Sequence, residues 1–387
     1  MARPPPRGRS FRLLLAATFL GFGGYALLLP MVPLWAALGG AGALGAGTTT
    51  GVFMLATVGT QFTVPGLLRR LGHRAVLALG MVLLGGAAPL CALSADLPPL
   101  IGVAALRGIG FGLMTVTGSA LTAELIPPAG HGRASARYGI AAGLPQLLLL
   151  PTGVVLAGQV GFGPLFLLAG ALPLAGALIV VAVRVPRQVL AAPVAGQDWR
   201  AVRSSLGPWL AMLTCSVAQG GLITFLPLAL SGSQLPVAVA LLGTSAGALL
   251  GRLGAGELAG RSGTAGRRLT AGMGLTACGM LAEALAVLSG PGSGRAGLAI
   301  AGAAVIGIGF GIVQNDALVV MFAIAGAPGY GAASAAWNIA YDAGTGCGAF
   351  VLGAVAQSRG FAAAFGVSAA LLVVGLPFAA RTRQMQS

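Results

Sequence analysis

The chain contains no lysine, and its 387 residues include only seven acids and two histidines. Charged residues make up 7% and apolar residues 57%, whereas soluble domains average about 25% charge. So few polar groups cannot cover a water-soluble globule of this size, and lipid must be the solvent for most of the surface. Histidine and cysteine are too sparse for several chemistries. His73 and His131 stand beside Arg74 and Arg133 in segments read as loops. Cys91, Cys215, Cys278 and Cys347 lie in apolar runs without ligand spacing. That excludes a His–Cys metal site and a Ser–His–Asp triad, and the cysteines read as small apolar packing residues. No Walker-type phosphate loop is present, so ATP is not expected to drive the protein and no cofactor is expected. The +15 net charge comes from arginine alone. The arginines fall in short clusters between apolar runs, which argues against a nucleic-acid partner.

What is present is said twice. Gly108-Ile109-Gly110-Phe111-Gly112 returns 199 residues later as Gly307-Ile308-Gly309-Phe310-Gly311. At the same spacing, the run from Gly130 to Tyr138 returns as Gly329 to Trp337, keeping the glycines and the central Ala-Ser-Ala. Gly23-Gly24 with Pro30 matches Gly220-Gly221 with Pro227. Two membrane-embedded halves with one helix-packing plan are the architecture of transporters, whose substrate sits between repeats.

Spans of about 20 apolar residues fall at 12–36, 45–68, 75–94, 99–123, 135–158 and 164–184. The second half gives 208–230, 236–255, 270–289, 297–323, 332–356 and 362–380. The fold expected is therefore all-α, twelve transmembrane helices in two six-helix bundles. The domains expected are 1–184 and 208–387, joined by a cytoplasmic linker over 185–207 with Arg187, Gln197, Asp198, Arg200 and Arg203. Arg3, Arg7, Arg9 and Arg12 precede an apolar run that imitates a secretory signal. That run extends to Trp35, too long for a cleavable core, and reads as the first span. With both termini cytoplasmic, every arginine except Arg107, Arg295 and Arg359 falls at an inner end, a strong positive-inside bias. The expected location is the cytoplasmic membrane, and the expected form a monomer.

At these residues the chain resembles the major facilitator superfamily over its full length. The family's loop signature, G-x-L-a-D-r-x-G-r-r, is matched by Gly256, Leu258, Ala259, Arg261 and Gly263, with Gly260 in the place of the acid. Its first copy keeps Leu67, Arg70, Gly72 and Arg74, with Pro65 for the glycine and Arg69 for the acid. Arg107 before the Gly-rich turn to Gly112 resembles the helix-4 signature, and Glu124-Leu125-Ile126-Pro127 with Arg133 and Ala134 resembles the run leaving that helix. Gly139 and Gly143 match part of the helix-5 signature of drug–proton antiporters, with the proline displaced to Pro145. The resemblance implies alternating access and is nearest to small-molecule and drug efflux permeases. It implies gating roles for Arg69, Arg70, Gly72, Arg74, Glu124, Arg133, Gly256 and Arg261.

Polar residues that the repeat does not copy are the functional candidates, because a charge at mid-membrane costs at least about 2.5–3.5 kcal/mol. Arg107 aligns with Ile306 and reads as a cavity cation or a snorkelling side chain. Asp342 aligns with Gly143 and forms a helical stripe with Asn338, Tyr341 and Thr345. That stripe reads as a proton-coupling site or a hydrogen-bonded seam. Asp316, in Gln314-Asn315-Asp316, and Glu283 are further proton-coupling candidates. Phe22, Tyr25, Met114, Gln146, Gln219, Phe225, Asn315, Asn338 and Tyr341 are candidate cavity residues, of types that serve equally for packing. Arg107 against Asp316, Asp342 and Glu283 leaves an acidic balance, which suits protons or cationic substrates. The function expected is secondary, proton-driven export of a small amphipathic or apolar organic molecule. The alternatives are proton-coupled nutrient uptake on the same fold, or a membrane sensor or enzyme using the scaffold. The partners expected are the bilayer, the small molecule and protons.

Overall fold

The computed structural model describes residues 7–126, 131–183, 205–230, 232, 234–262, 266–290 and 292–384. The linker expected over 185–207 lies outside them as far as residue 204. Every regular element among the described residues is a helix. Eleven helical runs are long and apolar enough to cross a bilayer, and the first, Gly8–Gln61, has 54 residues. At about 1.5 Å per residue that run spans a bilayer core twice, which completes twelve crossings.

The first run contains α1 (Arg7–Leu28), α2 (Met31–Ala36), a wide turn (Ala37–Ala41) and α3 (Gly42–Gln61). Pro30, without an N–H, ends α1, and Gly42 at φ +64° starts α3 in a conformation that side-chain-bearing residues rarely adopt. The segment read as a loop after span 2 is largely helical. Pro65 sits in the first turn of α4 (Val64–Leu71), where a missing N–H does no harm. Val64, Val76 and Leu113 are buried together, with Leu67 and Leu68 against them. There follow α5 (His73–Ala87), α6 (Leu97–Leu125), α7 (His131–Val160) and α8 (Phe162–Val181). The second half has α9 (Leu206–Ala229), α10 (Gln234–Ser262), α11 (Leu269–Leu288), α12 (Ser293–Arg359) and α13 (Phe361–Gln384). α12 holds two crossings, Gly294–Gly326 and Gly329–Arg359, and Gly326 at φ +64° marks the break between them.

The chain forms two compact units. One takes the chain up to Val32 and from Leu55 through α8; the other takes Pro33–Met54 and α9 to α13. In the first, α1 packs on α7 and α8, and α5 on α6 and α8. In the second, α9, α10 and α11 pack on α12. The segment Pro33–Met54 joins the second unit through glycine. Gly47 meets the backbone of Ala349, and Gly51 leaves only 3.2 Å between a Cβ position and Phe350. Gln357 Oε1 accepts from the N–H groups of Ala43 (2.8 Å) and Leu44 (3.4 Å), two donors that the start of α3 leaves open.

The repeated glycine motif does the same work in both units. A Cβ on Gly110 would stand 2.6 Å from Gly80 O on α5, and one on Gly112 2.7 Å from Thr57 O on α3. One repeat later, Gly309 presses on Gly272 and Thr276 of α11, and Gly311 on Ala248 and Arg252 of α10. Small residues that let helix backbones touch supply van der Waals contact where lipid offers no hydrophobic driving force. The duplication in the sequence is thus a duplication of helix contacts.

Candidate functional site

In the first unit, Tyr25 and Phe111 stack with centroids 4.3 Å apart, and Phe22 meets Phe111 edge-on at 5.5 Å. Arg107, one turn before Phe111 on α6, is buried and interacts electrostatically with Tyr25 and Cys91. Met114 is buried against Gly21, and Gln146 on α7 is half-buried. Arg69, Arg70 and Arg74 are exposed at the α4–α5 turn around Gly72. Glu124 Oε1 stands 2.7 Å from His73 Nε2. The side chains of Arg133 and Arg261 lie outside the described residues.

In the second unit the polar stripe lies on the second limb of α12. Two of its members bond back one turn: Asn338 Nδ2 donates to Ser334 O at 2.8 Å, and Thr345 Oγ1 to Tyr341 O at 2.9 Å. Asp342 is buried, and it and Arg252 both interact electrostatically with Tyr341. Tyr341 also stacks parallel to Trp337. Asp316 is placed differently. Its Oδ2 accepts from the Arg268 N–H at 3.2 Å, and Asn315 Nδ2 donates to Oδ1 at 3.4 Å. Arg268 is the N-cap of α11, so this carboxylate ties α12 to a helix end whose dipole favours negative charge. Glu283 is buried on α11 with its carboxyl against the backbone of Gly302 and Ala303. Gln219 is buried on α9, and Gly256 approaches Asn315, with 3.4 Å between a Cβ position and Oδ1.

Two polar residues with partners in the structure stand outside the sequence candidates. His73 is one, although the spans put the start of 3 and the end of 4 on one side. Arg252 was counted with the cytoplasmic cluster, but it lies inside the membrane-length segment Gln234–Leu258. Among the described residues, no three His, Cys, Asp or Glu side chains converge as a metal site.

An all-helical membrane protein with two units of matching helix contacts and charges buried on those helices has the build of a secondary transporter. The sequence profile of the Major Facilitator Superfamily matches residues 14–344, and the chain belongs to that family. It is an integral membrane transporter and not an enzyme. Its fold is similar to a bacterial homolog of the human lysosomal transporter Spinster, in an inward-facing and unoccupied conformation. That match has a TM-score of 0.76 at 14% identity, over 99% of this chain and 98% of that one. A nucleoside transporter, NupG, in a mutant form gives 0.78 at 13% identity, over 96% and 99%. No curated protein sequence matches the chain.

Proposed function

We propose that the protein exports a small amphipathic or apolar organic molecule in exchange for protons. Domains 1–184 and 208–387, joined by the linker over 185–207, give alternating access to a cavity in the cytoplasmic membrane, with both termini inside and the chain acting as a monomer. The observation that carries this reading is Asp342, an acid buried in a membrane helix beside Tyr341, at a repeat position where the other half has Gly143. A buried carboxyl can load and release a proton as its access to water alternates. Glu283 is the second candidate for the proton. Arg107, Tyr25, Gln146, Gln219, Asn338 and Tyr341 are the cavity contacts, and the α4–α5 turn with Glu124 is the inner gate.

Purified protein in liposomes with an internal pH dye and a panel of compounds tests this reading. Asp342→Asn should retain binding and energy-independent exchange but lose accumulation driven by a pH gradient. Wild-type accumulation in that variant at equal protein density would remove Asp342 from the coupling. Proton and substrate moving in the same direction would establish uptake in place of export.

A further inference from the structure

Three aromatic rings form a layer on α12. Trp337 and Tyr341 lie one turn apart with planes 6° from parallel and centroids 6.1 Å apart, and Phe310 adds its ring 5.9 Å from Tyr341. Trp337 is only 9% exposed, and its indole Nε1 is buried without a hydrogen-bond partner. A buried donor left open costs free energy that an acceptor would recover. α10 closes on the same layer. The Arg252 backbone nitrogen stands 2.8 Å from the position of a Cβ on Gly311, the residue after Phe310. The Arg252 guanidinium interacts with Tyr341, yet Arg252 is exposed inside a membrane-length segment. A cation kept there needs a reason.

Arg252 and Asp342 both act on the Tyr341 phenol, and one turn away on α12 the Trp337 indole N–H is the open donor. Arginine and indole are donors only, and the phenol can donate. Their partner has to supply oxygen acceptors and negative charge, and the stacked rings want a flat apolar body. We propose that Arg252, Tyr341 and Trp337 form a substrate subsite for an aromatic acid, whose ring lies against the Tyr341–Trp337 layer and whose carboxylate takes the guanidinium and the indole N–H. The subsite rests on the reading of the α12 stripe as part of the transport cavity and is independent of the direction of transport. It removes the preference for cations drawn from the sequence, because Arg252 joins the balance and the Asp316 carboxylate is already engaged with the start of α11.

The full-length protein in detergent is titrated calorimetrically with 2-naphthoate, with its uncharged isostere 2-naphthamide, and with acetate. The wild type should bind naphthoate saturably, and the other two at least tenfold more weakly. Arg252→Gln should weaken naphthoate at least tenfold while leaving naphthamide unchanged. Trp337→Phe, which keeps a ring and removes the N–H, should weaken naphthoate about threefold. Equal binding of naphthoate and naphthamide by the wild type, or no saturable naphthoate binding, overturns the subsite without needing a variant. Unchanged naphthoate affinity in Arg252→Gln overturns it as well. Specific naphthoate binding in a protein that shows no proton-coupled transport would leave the subsite standing and remove the coupling instead.

Discussion

Glu124 Oε1 lies 2.7 Å from His73 Nε2, and the contact ties the last turn of α6 to the first residue of α5. Both side chains are largely covered, at 15% and 13% exposure. The contact lies at the α4–α5 turn, four residues after Arg69, which takes the place of the loop signature's acid. This end of the first unit is thus fastened by a residue pair that the loop signature does not contain.

Removing either partner should therefore have a coupled effect. His73→Ala and Glu124→Ala should share an interaction energy of about 0.5–1 kcal/mol in a double-mutant cycle, measured by thermal unfolding in detergent. Strictly additive effects would show that the two side chains merely lie side by side.

The glycines of the repeated motif should separate sharply from Gly143 on α7. Gly110→Ala places a Cβ 2.5 Å from Leu84 N and 2.6 Å from Gly80 O, an overpacking expected to cost about 1–3 kcal/mol. Gly143→Ala meets nothing within 4 Å and should gain about 0.5–1 kcal/mol from helix propensity. Melting temperatures of the two variants that moved in the same direction would contradict this ranking.

Asp316 and Asp342 should part company as well. Asp316→Ala leaves the Arg268 N–H without its acceptor and should cost about 1–3 kcal/mol. Asp316→Asn keeps an acceptor there and should retain gradient-driven transport in liposomes, where Asp342→Asn should lose it. Loss of coupling in Asp316→Asn would return Asp316 to the proton pathway.

The arginine distribution predicts a topology with both termini inside. Reporter fusions placed after Arg203 and at Ser387 should both read cytoplasmic, and an external signal at either position would break the expected orientation.

Much of the fold was legible in the sequence because its causes are local. Apolar runs of bilayer length show the crossings, and the glycines of the repeat mark where helix backbones touch. The arcs that the sequence left open depend on contacts between distant segments. Arg252 falls within the span read at 236–255, but nothing near it says that its helix continues to Ser262 or that it acts on Tyr341. Asp316 looks like Asp342 in sequence, and only the approach of the α11 start to its carboxylate distinguishes the two. The break at Gly326 was legible, because Pro328 and the glycines around it separate the spans read at 297–323 and 332–356, whereas the pairing of His73 with Glu124 needed two helix ends brought together.

Gln357 closes the start of α3 from 314 residues further along the chain. A ribosome adding roughly 5–20 residues per second needs about 15–60 seconds to cover that distance. For that interval the glycine face of α3 and its two open N–H groups have already entered the membrane, while the helix that completes them has not been made. Newly made protein must pass through this stage, in which α3 is inserted but unpartnered. That is the point in biosynthesis at which an insertion chaperone has something to hold.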